Sequence, residues 1–217
     1  MKSSAGLDEG LLLVESGDYV AAVREFRKAA DKGDVSAMSL LGTAYHYGDG
    51  VPQNFKTARS WYLLAASAGD ATAQFNLSTL HYRGEGTPQD YETAFTWAQK
   101  AARQGQPSAQ ENLAMMYQNG EGTPKDLRKA TKWYLAAAEQ GQVDSQAALA
   151  ASYAMGWGVI TDYVYAHMWA NIAIANGRDG EVARNFLKST EQQMTRSQIA
   201  EAQKLARECV KKEYKNC

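Results

Sequence analysis

Apolar and polar positions along this chain repeat on two scales. Within short stretches the apolar residues recur every three to four positions, and the whole arrangement returns every 36 residues. Segments 35–70, 71–106, 107–142 and 143–178 align in register. In the first half of each, Leu41, Leu77, Leu113 and Leu149 stand four residues before Tyr45, His81, Tyr117 and Tyr153. That spacing is one stripe of a helix. A small residue follows each Leu: Gly42, Ser78, Ala114 and Ala150. Gly-x-Gly comes next, at Gly48, Gly84, Gly120 and Gly156, where left-handed backbone can end a helix. Asn54, Asp90, Asp126 and Asp162 then sit where a short polar side chain caps a second helix. Its stripe is Ala58, Ala94, Ala130 and Ala166, then Trp61, Trp97, Trp133 and Trp169, with Gly69, Gly105, Gly141 and Gly177 at its end.

Each segment therefore predicts two antiparallel helices. The small-residue columns let them approach closely, and the Trp column is expected to fill the space between them as core, together with the Leu column. One helix pair cannot bury both of its faces, so the pairs must stack. The fold class is all-α, an α-solenoid. Internal self-similarity at this period is the primary signal for such an array.

The flanks read as caps. Residues 1–6 are expected to be disordered or an expression remnant. Residues 7–34 form an N-terminal helix pair with a short turn at Gly17-Asp18-Tyr19, in which Glu25 replaces the Trp and Phe26 supplies the bulk. Residues 179–217 are expected to be C-terminal capping helices. One spans Glu181–Gln192, with Val182, Phe186 and Leu187 turned inward. The next starts at Thr195, which with Gln198 has the spacing of a capping box. The whole chain reads as one domain.

The pattern A-x-x-x-L-G-x-x-Y-x-x-G-x-G-x-P-x-D-Y-x-x-A-x-x-W-Y-x-x-A-A-x-x-G resembles the Sel-one-like repeat (SLR), a relative of the tetratricopeptide repeat. The four segments from Val35 to about Gly177 carry it, followed by helices similar to those that close many bacterial SLR arrays. The resemblance implies a right-handed superhelical scaffold for protein–protein contact, with the first helix of each pair lining a concave face. It implies no chemistry.

Composition narrows the partners. A formal net charge of −1 and the lack of a basic stripe exclude a nucleic-acid ligand. No apolar run reaches the length of a membrane span. The start, MKSSAGLDEG, has no apolar signal-peptide core; a leader removed beforehand remains compatible with it. The two cysteines are Cys209 and Cys217. Eight residues of straight helix span roughly 12 Å, whereas a disulfide needs its Cα atoms within about 7 Å. Bonding requires the helix to stop near 211–214 and the tail to fold back. A bond there argues for an oxidising compartment, so a periplasmic or secreted location is expected, with cytoplasmic as the alternative.

No catalytic constellation is found. His46, His81 and His167 have no metal-ligand spacing, and no nucleophile motif occurs. The Gly-x-Gly pairs follow helices rather than strands and recur in every segment, so they are turns rather than phosphate loops. Glu85 and Glu121, between such glycines, read as exposed loop residues, and His81 as a filler at the core edge. No metal or cofactor is expected.

Concave-face positions fall at His46, Tyr47, Phe75, Thr79, Tyr82, Arg83, Glu111, Met115, Gln118, Asn119 and Met155. They vary between segments while the core columns repeat. Aromatic residues and Met with few charges suit a protein or peptide partner. The expected function is a non-catalytic, monomeric scaffold or adaptor. The alternative is an immunity or inhibitor protein that neutralises one toxic effector by tight one-to-one binding.

Overall fold

Polar caps and glycine stops cut the chain into helices of 11 to 16 residues. The computed structural model describes residues 5–217, and every regular element among them is α-helical. Of the start expected to be disordered, residues 1–4 lie outside the described residues, while Ala5 and Gly6 already belong to the first helix. The chain forms two compact units, Met1–Gln106 and Pro107–Cys217.

The first unit holds α1 (Ala5–Glu15), α2 (Tyr19–Ala30), α3 (Val35–Tyr47), α4 (Phe55–Ser67), α5 (Ala71–Arg83) and α6 (Tyr91–Arg103). Each helix packs on the next in sequence, so the pairs α1/α2, α3/α4 and α5/α6 stack in order. Asp18, Asp34, Asn54, Asp70 and Asp90 each accept the backbone N–H of the residue three further on. This satisfies a donor that the first helical turn leaves orphaned. The two glycines of each Gly-x-Gly have different tasks. Gly48 (φ 84°) ends α3 as its left-handed cap, donating its N–H to the Ala44 carbonyl. Gly50 (φ 70°) lies so close to the preceding pair that a Cβ built there would stand 2.2 Å from the Tyr19 carbonyl oxygen.

The Trp column does not occupy the place expected of it. The space between paired helices α3 and α4 is filled by Tyr62, which is fully buried; its ring passes within 2.4 Å of where a Cβ on Gly42 would sit. One residue is a rotation of about 100° on a helix of 3.6 residues per turn, so Trp61 points elsewhere. It is half-buried at the edge of the cluster formed by α1, α2 and α3, and Trp97 covers the cluster of α4 and α5 in the same way. Trp133 is likewise half-buried. Of the four, only Trp169 is fully enclosed, at 1% exposure. The Leu column is completely buried at Leu41, Leu77, Leu113 and Leu149.

The second unit holds α7 (Pro107–Asn119), α8 (Leu127–Ala138), α9 (Val143–Met155), α10 (Tyr163–Ala175), α11 (Glu181–Glu191) and α12 (Arg196–Lys211). The pairs α7/α8 and α9/α10 stack through α8 and α9, and both α11 and α12 pack on α10. That double cover accounts for the apolar sequence of α10. His167, also buried, places Nε2 3.0 Å from Glu191 Oε1, while the Asn171 amide stands 2.7 Å from its Nδ1. The buried His167 and half-buried Glu191 thus tie α11 to α10. The capping box at Thr195 opens α12 with both reciprocal hydrogen bonds formed.

Buried glutamines recur in both units. Gln74 donates to the Ala66 carbonyl in the preceding turn and accepts from Gln104 in the following one. Gln146 does the same with Ala138 and Asn176, and Gln110 accepts from Gln140. Each buried amide is thus held by neighbouring turns, as buried polar groups require.

Cys209 and Cys217 form a disulfide with Cα atoms 5.3 Å apart. α12 stops at Lys211, and Glu213, Tyr214 and Asn216 adopt positive φ, which folds the tail back. The Tyr214 hydroxyl donates to Asn176 Oδ1, its ring lies over Gly141, and the Asn216 N–H donates to Glu139.

Candidate interaction faces

In the first unit the candidate residues lie on α3 and α5. Tyr47 is the most open, at 67% exposure, and its ring stacks on His46 with centroids 4.6 Å apart. His46 was expected on the surface, but it is buried at 8% exposure beneath Tyr47 and against the edges of Phe55 and Tyr62. It faces the core because it ends α3 on the side toward α4. Burial pushes its pKa below the usual imidazole range, against the opposing pull of Glu85. Phe75, Thr79 and Tyr82 are half-buried. Thr79 returns its hydroxyl to the Phe75 carbonyl, and Tyr82 meets Tyr91 edge-on. Arg83 is exposed and stands 3.8 Å from Glu85, whose other carboxylate oxygen is 3.5 Å from His46 Nε2. Glu85 is thus half-buried and links α3 to the loop after α5, a role that its position between two glycines did not reveal. His81, half-buried, is also held below the usual imidazole range, by burial first and Arg59 second.

In the second unit, Met115 (41% exposed) and Asn119 lie open on α7. Glu111 accepts a hydrogen bond from Ser145, and Gln118 accepts one from Tyr134. These two polar residues are therefore partly committed to holding α7 on its neighbours. Burial, with Glu111 adding to it, pushes the Tyr134 hydroxyl up to about 12.

Met155 ends α9 and is 62% exposed, beside a small cleft shared with Ala154, Tyr163 and Phe186. On the other side of Phe186 a cleft of 620 Å³ opens between α9, α10 and α11. Its floor is Ala147, Ala150, Ala151, Ala170 and Ala173, and Val182 and Phe186 stand on the α11 side. Asp144 pairs with Arg178, and Asp179 pairs with Arg184 through two hydrogen bonds. Val182 does not turn inward as its place in the α11 stripe suggested; it is 86% exposed, since α11 packs on α10 further along and stands off α9 at its start. Of the candidate residues, His46, Tyr47 and Arg83 gather around Glu85 in the first unit, and Met155 borders the small cleft with Phe186 in the second.

Among the described residues no three His, Cys, Asp or Glu side chains converge as a metal ion would need, and no helix is long and apolar enough to cross a membrane.

Comparison with known proteins gives a consistent result. The family model for the Sel1 repeat matches residues 6–34, 35–70, 71–106, 107–142 and 143–177. The N-terminal pair, read from sequence as a cap, is thus matched as a repeat as well. A protective antigen of uropathogenic Escherichia coli strains, described as displaying an SLR fold, is 32% identical with a TM-score of 0.85. The match covers 97% of this chain and 46% of that one, so the chain spans less than half of that relative's length. A Sel1 repeat protein from Oxalobacter formigenes is 28% identical with a TM-score of 0.80, over 95% of this chain and 83% of its own. An immunity protein from Pseudomonas aeruginosa shares the fold at 19% identity and a TM-score of 0.54, over 99% of this chain and 83% of its own. No curated protein matches by sequence.

Proposed function

The chain belongs to the Sel1 repeat family, and from that premise we propose that it is a non-catalytic adaptor whose first-helix faces hold a partner protein or peptide. Proteins of this family are generally protein-interaction scaffolds. The observation that carries the reading is the contrast in exposure along those helices. The Leu column is completely buried, while Tyr47, Met115 and Met155, on the same helices, are 67%, 41% and 62% exposed. Large apolar side chains left exposed on these first helices are what a protein interface uses.

A second reading is favoured by the likeness to the Pseudomonas aeruginosa immunity protein. In it the same faces neutralise one effector by a tight one-to-one complex. The Cys209–Cys217 disulfide supports a periplasmic or secreted setting for either reading, because such bonds persist in oxidising compartments.

The test is affinity capture from envelope and cytosolic fractions of the native organism. Wild-type protein is compared with Tyr47→Ala/Met155→Ala, whose side chains are exposed enough to leave the fold intact. A partner retained by wild type and lost by the variant supports the adaptor reading, and loss of that partner's enzymatic activity on binding selects the inhibitor. Equal retention by both baits refutes the face assignment.

A further inference from the structure

The first helix of the chain carries an apolar surface that the repeat array does not use. α1 packs on α2, yet Leu12 is 65% exposed and Leu11 42%. Asp8, Leu12 and Glu15 are spaced by four and three residues, which places them on one stripe of the helix. Leu12 is therefore flanked, one turn on either side, by a carboxylate. α1 holds Asp8, Glu9 and Glu15 and no basic residue.

α12 carries the complementary surface. A cleft of 530 Å³ lies between α10 and α12, lined by Ile172, Ala175, Ala206 and Val210, with Arg207 and Lys211 at its edge. Val210 is 43% exposed. Arg207 and Lys211, four residues apart, share a face of the helix, and the neighbouring carboxylate, Glu208, is turned toward Lys204 at 3.8 Å. The acidic stripe with a leucine at its centre matches, in both polarity and charge, an apolar cleft with a basic edge. The docking also repeats what the fold does internally. In α2/α3, α4/α5 and α8/α9 the first helix of one repeat packs on the second helix of the repeat before it.

We propose that α1 of one copy docks in the α10–α12 cleft of a second copy, head to tail. Leu12 enters the apolar floor, and Glu15 faces Arg207 and Lys211. The occupant is a second copy of this chain, in place of the monomer suggested by the sequence. Because the contact joins two different surfaces, it is heterologous, and copies add until a ring closes. Opposite charges at a partly exposed contact make the association salt-sensitive.

Sedimentation velocity across a concentration series tests this with the full chain. At low ionic strength the weight-average sedimentation coefficient of wild type should rise with concentration, and the rise should disappear in high salt. Leu12→Glu blocks α1 and leaves the cleft; Arg207→Glu/Lys211→Glu blocks the cleft and leaves α1. All three positions are exposed, so both variants should keep the wild-type circular dichroism spectrum. Each alone should sediment as a monomer, and an equimolar mixture should form a dimer and nothing larger. Wild type that stays monomeric at every concentration overturns the proposal. So does self-association that persists in either blocked variant, or a mixture of the two that stays monomeric.

Discussion

Gly158→Ala is the sharpest probe of how neighbouring repeats are joined. Gly158 is the second glycine of its Gly-x-Gly, with φ +74°, and a Cβ there would stand 2.2 Å from the Leu127 carbonyl oxygen and 2.7 Å from the Arg128 nitrogen. Both obstacles are backbone, so no side-chain rotation relieves the clash. Placing a non-glycine residue in left-handed backbone costs about 1–2 kcal/mol. Forcing packed elements apart costs a further 1–3 kcal/mol or so. The sum, roughly 2–5 kcal/mol, is a large part of the 5–15 kcal/mol or so that stabilises a typical domain. The contact it displaces is reinforced by the Thr131 hydroxyl, which donates to the Trp157 carbonyl at 2.7 Å. Gly17→Ala is the control, because its φ of +82° is close to that of Gly158 and nothing lies within 4 Å of the added Cβ. It should lose the conformational part alone. Urea denaturation followed by circular dichroism, comparing midpoints at similar slope, separates the two. If Gly158→Ala costs no more than Gly17→Ala, the close approach of the repeats is not what this glycine provides.

Two further outcomes follow from burial. Trp169→Ala should cost about 3–5 kcal/mol, as for a fully enclosed aromatic, and Trp133→Ala, half-exposed, about 1–2 kcal/mol; equal losses in denaturation midpoints would contradict the assignment of the four tryptophans. His46 and His81 are both held below the usual value of 6.5 in the folded protein, so the unfolded chain binds more protons in that range. Their contribution to stability is complete above about pH 6.5 and is lost as pH falls through 6.5 toward their folded values. Thermal melts between pH 7.5 and 5 should show this decline, with a shallower slope in His46→Gln/His81→Gln; parallel slopes would show that burial of these rings does not drive it.

The fold was readable because its local rules are strict. The capping position before each second helix recurs as Asn54, Asp90 and Asp126, and the glycine stops recur with it; both act through backbone hydrogen bonds set by near neighbours. Reading failed where a single step around a helix changes the neighbour. Trp61 and Tyr62 both belong to an apolar stripe, and only the packing of α4 on α3 decides that Tyr62 is enclosed. The buried amides of Gln74, Gln110 and Gln146 are not evident in the sequence, because a glutamine on a helix ordinarily faces water; their burial depends on partners 8 to 30 residues away, including carbonyls of the preceding repeat for Gln74 and Gln146. At the candidate faces, His46 and Glu85 are brought together across 39 positions of sequence, and Val182 is exposed because the start of α11 borders an open cleft rather than a packed helix. Tyr47, which stacks on its sequence neighbour His46, and Met155, which borders a cleft with Phe186, are both exposed.

The folded-back tail changes how this end of the protein can come apart. A stack of repeats bound only to near neighbours tends to unzip from its last helix, one pair at a time. Here the tail reaches 38 residues back to Asn176 and 77 residues back to Glu139, and the disulfide keeps it attached to α12. α12 therefore cannot peel away without also breaking with the turns that close the third and fourth repeats. Fraying at this end is converted into a step that several repeats must take together.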